Sequence, residues 1–265
     1  MGLLVAASAQ DSVKFSVPGV SPAAQPAAPA AAPAKAKFTE AQVVEAYGWY
    51  MGAQMGLHQL EFTKEQVEAM ARGMIGAATG GQPSFDPKEI GPDVQAFLAA
   101  KNDVYMMKMK YQNLADGTAF FKKLKEENKN VVEQPDGLRY EILKPGTGPL
   151  PKPGQVLTIH YTGTFINGEP FDSSLQPRQP GAPVEPVNLL LQPASAANPN
   201  GMIPGMFEGL QKVGAGGKLK LYIPPSLAYG DEGSQAIPPG ATLVFEVEML
   251  GVKDAPAEPA APAAK

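Results

Sequence analysis

The chain has 265 residues, with 22 Lys and Arg against 26 Asp and Glu, a net charge of −4, two His and no Cys. Without Cys there are no disulfides, no thiolate catalysis and no Cys-ligated zinc, and His58 and His160 are too far apart in sequence to suggest a metal site. The charge balance contains no basic block that would attract nucleic acid, and no stretch approaches the roughly 18 apolar residues of a membrane-spanning helix.

At the start, Leu3 to Ala9 reads LLVAASA, the pattern of a secretory signal ending in an A-x-A site before Gln10. The run is short and no positive segment precedes it. Export to the periplasm or cell envelope is the expectation, with a cytoplasmic protein as the alternative. Residues 21–36 (SPAAQPAAPAAAPAKA) are Pro/Ala-rich, and the final DAPAEPAAPAAK repeats that composition. Neither segment can bury a core, and both are expected to be extended spacers or solvated tails. This sets 1–37 and 253–265 apart from two folded parts, 38–130 and 131–252.

Residues 38–130 read as helix. Phe38-Thr39-Glu40-Ala41-Gln42-Val43 holds a Thr cap, a Gln three residues on and a hydrophobic staple, and Phe62-Thr63-Lys64-Glu65-Gln66-Val67 repeats it. The first helix is expected to run to about Gln59 and the second from Lys64 to about Ala78, before Gly80-Gly81. Gly48, Gly52 and Gly56 form a four-residue repeat in the first helix, beside Tyr47, Met51 and Met55. Each Gly costs roughly 1 kcal/mol there, so the stripe signals close approach of another helix, from this chain or from a second copy. The single Trp49 reads as packing material of that helix. A third, long helix is expected over 92–129, interrupted or kinked at Gly117, acting as a strut.

From Gln134 the pattern becomes strands. Gly137–Lys144 and Val156–Phe165 alternate, and Lys218–Ile223 and Thr242–Gly251 add further strands. Asn167-Gly168 marks a hairpin, and Met206–Lys212 forms one short helix. The fold class is α+β: an N-terminal helical domain with a long connecting helix, then a curved antiparallel sheet wrapped around a short helix. Along that half, IHYTGTF, FDSS, MIPGMFEGL, LAYGDEG and IPPGATLVFEVEML bring Tyr161, Phe171, Asp172, Ile203, Tyr229 and Phe245 on successive elements. Rings, aliphatic residues and one carboxylate, without a nucleophile or metal set, suit a site that grips and bends something apolar. His160 lies on the opposite strand face and reads as a surface residue.

In these segments residues 137–252 resemble the FKBP-type peptidyl-prolyl isomerases. HYTG-x-x-x-x-G-x-x-FDSS, I-P-G-x-x-E-G-L, G-x-x-x-x-x-x-I-P, A-Y-G and I-P-P-x-A-T-L-V-F-E-V-E-x-L match in order. The helical half and the GLRYEILKPGTG junction are similar to the macrophage infectivity potentiator type, whose helical domain dimerises. The resemblance implies a pocket walled by Tyr161, Phe171, Ile203, Tyr229, Ile237 and Phe245, with Asp172 at its rim within reach of the Tyr161 hydroxyl. It implies Tyr161, Asp172 and Tyr229 as catalytic residues, with the Ile203 N–H and the Tyr229 hydroxyl as donors to the carbonyls flanking the bound proline. Met202, beside Ile203, joins the substrate-binding set. Two positions depart from the family: Met206 stands where a Trp forms the pocket floor, and Val187 stands where an aromatic precedes it. Fourteen residues, 188–201, then separate Val187 from Met202.

The implied activity is Xaa-Pro isomerisation during folding of exported proteins, without cofactor or metal. The implied partners are proline-containing clients, macrolide ligands and a second copy of the chain. The alternatives are a holdase or proline-binding module of weak isomerase activity, and a structural dimer with a vestigial pocket.

Overall fold

The structure, a computed structural model, describes residues 37–177, 183–195 and 201–255. The leader-like run, the Pro/Ala-rich segment 21–36, nearly all of its C-terminal counterpart and residues 196–200 of the insertion lie outside the described residues. The chain divides into two compact units after Gly52.

Helix α1 spans Glu40–Gln54 and α2 spans Lys64–Ala78. Both starts carry the expected reciprocal cap. The Thr39 N–H donates to Gln42 Oε1 at 2.9 Å while the Gln42 N–H donates to Thr39 Oγ1 at 3.3 Å, and Thr63 and Gln66 repeat both distances. Each such Thr is worth about 1 kcal/mol. Helix α1 stops at Gln54 instead of Gln59, because Gly56 takes a left-handed φ of 66° in the turn that follows. The expected stripe of three glycines is therefore two helical glycines followed by one turn residue.

Helix α3 runs from Pro87 to Glu127, 41 residues, about 60 Å at 1.5 Å per residue. It begins five residues before the expected start at 92. The Asp86 carboxylate accepts from the Lys88 N–H at 2.8 Å with Pro87 in the first turn, a stronger start signal than Pro92. The turn before α2 is tied to α3: Lys101 Nζ donates to the Glu61 carbonyl at 2.6 Å, Lys108 pairs with the Glu61 carboxylate at 2.5 Å, and Phe62 meets Phe97 edge-on at 5.6 Å. Gly117 neither ends nor interrupts α3; it is the helix's buried residue.

Seven strands follow among the described residues: β1 (Val132–Glu133), β2 (Arg139–Lys144), β3 (Gln155–Phe165), β4 (Pro170–Ser173), β5 (Val187–Leu190), β6 (Lys218–Ile223) and β7 (Leu243–Asp254). They form one antiparallel sheet in the order β1-β2-β6-β7-β3-β4, with β5 also pairing β3. The short edge strands β1, β4 and β5 are additional to the four expected. Strand β7 passes the expected boundary at 252, since Lys253 and Asp254 pair with Val156 and Gln155. The Asn167-Gly168 turn joins β3 to β4, with Gly168 at φ 88°.

Period-2 alternation places Leu157 and Ile159 of β3, Leu219, Leu221 and Ile223 of β6, and Leu243, Val247 and Met249 of β7 in one core, all fully buried. Burying each such side chain stabilises the fold by roughly 1.5–3 kcal/mol. Helix α4 (Pro204–Gly209), continued by a 3-10 turn at Leu210–Lys212, lies against this face and adds Met206 and Leu210. It sits close because Gly205 and Gly209 face Ile223 and Leu221 without side chains between them. On the other side of β6, Tyr222 packs 6.0 Å from the Phe120 ring of α3, and the Arg139 guanidinium lies 4.0 Å above Phe121. Burial, with Glu141 and Glu246 nearby, pushes the Tyr222 hydroxyl up to about 12.

Candidate active site

The register of β3 assembles the aromatic set. Gly163 is paired with Phe245 of β7 on one side and Asp172 of β4 on the other. A Cβ at 163 would lie 2.6 Å from Phe171 Cζ and 2.9 Å from Phe245 Cε1. Only glycine leaves room for these rings to meet over the strand. Phe171 and Phe245 are then T-shaped at 5.5 Å, Tyr161 and Phe245 are 6.3 Å apart, and Phe165 backs Phe171 at 5.1 Å.

The Tyr161 hydroxyl donates to Asp172 Oδ2 at 2.6 Å, a short charge-assisted bond. Asp172 is held there by its serine neighbours. Ser173 Oγ lies 2.9 Å from Thr162 Oγ1, Ser174 Oγ accepts from the Tyr161 N–H at 2.9 Å, and the Ser174 N–H donates to the Tyr161 carbonyl at 3.0 Å. His160, read from sequence as a surface residue, is half-buried with Nδ1 3.1 Å from Ser174 Oγ. Gly163, Ser173 and Ser174 also shape the site, and composition and alternation alone do not point to them. Their signal is positional: a glycine against which Phe171 and Phe245 close from neighbouring strands, and consecutive serines that face Thr162 and Tyr161.

Met206 (7% exposed), Ile237 (4%) and Phe245 (7%) belong to the buried cluster, with Tyr161, Phe171, Met202 and Ile203 packed on it as half-buried neighbours. Ile203 opens α4, its carbonyl accepting from the Met206 and Phe207 N–H groups at 3.1 and 3.0 Å. Met202 closes the described ends of the insertion: its N–H donates to the Gln192 carbonyl at 3.0 Å, and its carbonyl accepts from the Ala194 N–H at 2.9 Å. Tyr229 lies outside the cluster, 41% exposed on the loop after the 3-10 turn Pro225–Leu227. Val187 lines a cavity of about 510 Å³ with Ser174, Gln176, Pro183, Glu185, Pro186 and Asn188. A second cavity of about 270 Å³ opens at Phe171 and Asp172, bounded by Pro170, Ser173, Gln176 and Pro177.

This geometry joins apolar walls to one carboxylate held by a phenol. Two family descriptions match the chain: "FKBP-type peptidyl-prolyl cis-trans isomerase" over residues 148–250, and "Domain amino terminal to FKBP-type peptidyl-prolyl isomerase" over residues 40–142. The FKBP-type peptidyl-prolyl cis-trans isomerase FkpA of Escherichia coli is 36% identical over 240 residues, 87% of this chain and 83% of that protein. The chain belongs to the FKBP-type peptidyl-prolyl cis-trans isomerases. The crystal structure of E. coli FkpA superposes with a TM-score of 0.59 at 34% identity, covering 83% of this chain and 99% of that one. The E. coli FKBP-type 22 kDa isomerase is 33% identical over 80% of this chain and 95% of its own length. The outer membrane protein MIP of Legionella longbeachae is 31% identical over 71% and 76%. As an FKBP-type isomerase, the protein catalyses cis-trans isomerisation of peptidyl-prolyl bonds. Helices α1, α2 and α3 and strand β1 lie within the residues matched by the amino-terminal description, and strands β3 to β6 with most of β7 lie within those of the isomerase.

Proposed function

We propose that the aromatic cluster of β3, β4 and β7 is where this isomerase holds a prolyl segment of an unfolded client. Tyr161, Phe171, Met202, Ile203, Met206, Ile237 and Phe245 supply the apolar surface, with Val187 and Tyr229 at its margins. Unaided rotation about an Xaa-Pro bond crosses a barrier of roughly 18–20 kcal/mol. Most of that barrier is lost amide conjugation. The twisted amide is less dipolar than the planar one, so an apolar wall disfavours the ground state more than the transition state. Donors from the Ile203 N–H and the Tyr229 hydroxyl hold the flanking carbonyls and fix the geometry. The 2.6 Å bond from Tyr161 to Asp172, at the edge of the rings, carries this reading. It holds the phenol against the rim while Asp172 itself stays exposed. In proline-limited refolding of a denatured client, wild type accelerates the slow phase and a macrolide competes. Asp172→Ala lowers kcat/KM about tenfold, ~1.4 kcal/mol of barrier, with an unchanged melting temperature. Full activity in that variant removes Asp172 from the site.

The partners are proline-containing clients and a second copy of the chain. Among the described residues of α1, α2 and α3, only Gly117 is buried, while Met74, Ile75, Leu98, Val104 and Met107 are all more than 40% exposed. Apolar faces of this kind are covered in soluble proteins, and a helical homodimer covers them here. A Met74→Asp, Ile75→Asp double variant sediments as a monomer where wild type sediments as a dimer. A wild type already monomeric at micromolar concentration removes the dimer. No helix of the described residues is long and apolar enough to cross a membrane. The leader-like start, together with likeness to a protein named for the outer membrane, supports export to the periplasm or envelope.

A further inference from the structure

We propose that the C-terminal half of α3 is a working part of the isomerase site: Asn113 and Gly117, assisted by Lys110, are positioning residues for the loop that carries Tyr229 and Ile237. The inference rests on the pocket reading above. That loop, 229–240, has no helix or strand of its own. It is closed internally, with the Gly240 N–H donating to the Gly230 carbonyl at 2.9 Å, the Gly233 N–H to Tyr229 at 3.1 Å and the Ser234 N–H to Ile237 at 2.8 Å. A loop sealed onto itself moves as a unit, so its place over the pocket depends on what it leans against.

It leans on one stripe of α3. Lys110, Asn113, Leu114 and Gly117 follow the i, i+3, i+4, i+7 spacing of a single helix face. Lys110 Nζ pairs with Asp231 at 2.6 Å, and Asn113 Nδ2 donates to the Pro239 carbonyl at 2.8 Å. Gly240, at φ 66°, lies so close to the helix that a Cβ there would be 3.0 Å from the Lys110 carbonyl and 3.3 Å from Leu114 Cγ. At Gly117 a Cβ would be 2.5 Å from Thr242 Oγ1, and Thr242 is itself buried. The anchored residues bracket the pocket wall. Asp231 is two residues after Tyr229, Pro239 two after Ile237, and Thr242 three before Phe245. The Lys110–Asp231 pair is exposed on its acidic side and contributes little alone. The Asn113 hydrogen bond and the glycine contact set the distance.

The test uses the full-length protein, a prolyl peptide substrate and amide NMR of the loop. Gly117→Ala leaves a better helix former in α3, so lost activity in that variant does not come from helix unwinding. Gly117→Ala and Asn113→Ala each lower kcat/KM about three- to tenfold, chiefly through kcat, and move the Tyr229 and Ile237 amide signals. Adding Thr242→Ala to Gly117→Ala removes the obstructing hydroxyl and restores activity to within about twofold. Lys108→Ala breaks the Glu61 pair on the same helix and changes neither readout. Unmoved Tyr229 and Ile237 signals in Gly117→Ala overturn the positioning role, whatever the activity. Moved signals beside a fully active Phe245→Ala support the docking and instead overturn the pocket assignment.

Discussion

Phe245→Ala lowers kcat/KM for a prolyl peptide about 100-fold, equivalent to ~2.7 kcal/mol of barrier. The ring is 7% exposed, meets Phe171 edge-on at 5.5 Å and lies 6.3 Å from Tyr161. It is thus the side chain on which the apolar wall converges. On the pocket reading proposed above, removing it opens the wall to water, which solvates the planar amide and cancels the differential that speeds rotation. Truncating a core Phe also destabilises the fold by about 3–5 kcal/mol. The assay is therefore run at low temperature, where near-ultraviolet circular dichroism shows native packing. Phe245→Leu supplies the second arm: it keeps an apolar surface, and its loss of activity stays under about tenfold, ~1.4 kcal/mol. A folded Phe245→Ala protein with wild-type turnover would place the reacting bond elsewhere.

Gly209→Ala lowers the stability of the sheet domain by about 1–3 kcal/mol through overpacking. Helix propensity alone argues the reverse, by about 1 kcal/mol in favour of alanine. Geometry decides between the two. A Cβ at 209 would lie 2.5 Å from both Leu221 methyls, and Leu221 is fully buried in the core. Either Leu221 leaves its rotamer or α4 moves away from β6, taking Ile203 and Met206 with it. Gly73 of α2 is the comparison, since a Cβ there meets nothing within 4 Å. Thermal melts of the two variants should move in opposite directions, Gly73→Ala upward and Gly209→Ala downward. An upward shift for Gly209→Ala would mean that α4 packs further from β6.

The parts of the fold that were legible in sequence are those set by interactions within a few residues. Thr63 and Gln66 cap each other across three positions, so α2 starts where its residues say it does. The Asp86-Pro87 start of α3 is equally local, a capping carboxylate followed by a proline in the first turn, and it sets the helix start five residues before 92. Strands β3, β6 and β7 announce themselves by alternation. Strands β4 and β5, four residues each, are too short to show a period and lie among prolines; their partner β3 creates them.

The candidate site divides the same way. Tyr161, Phe171, Asp172 and Phe245 were legible because their motifs are dense and ordered. Gly163 was not, because its importance lies in the two rings that approach it from neighbouring strands. Strand parity puts His160 on the exposed face but says nothing of the Ser174 hydroxyl that reaches it from the residue just after β4.

By itself the sequence determined the helix caps, the buried strand faces and the order of aromatic residues, because these depend on side-chain chemistry repeated at the period of the backbone. Only the tertiary structure decided that α3 leans on the Tyr229–Ile237 loop and that two glycines let α4 close on the sheet. Lys110 and Asp231 are 121 residues apart in the chain, and no local periodicity encodes a contact of that span. Such contacts follow from which surfaces remain once the core has packed, and from where a missing Cβ lets two backbones come together.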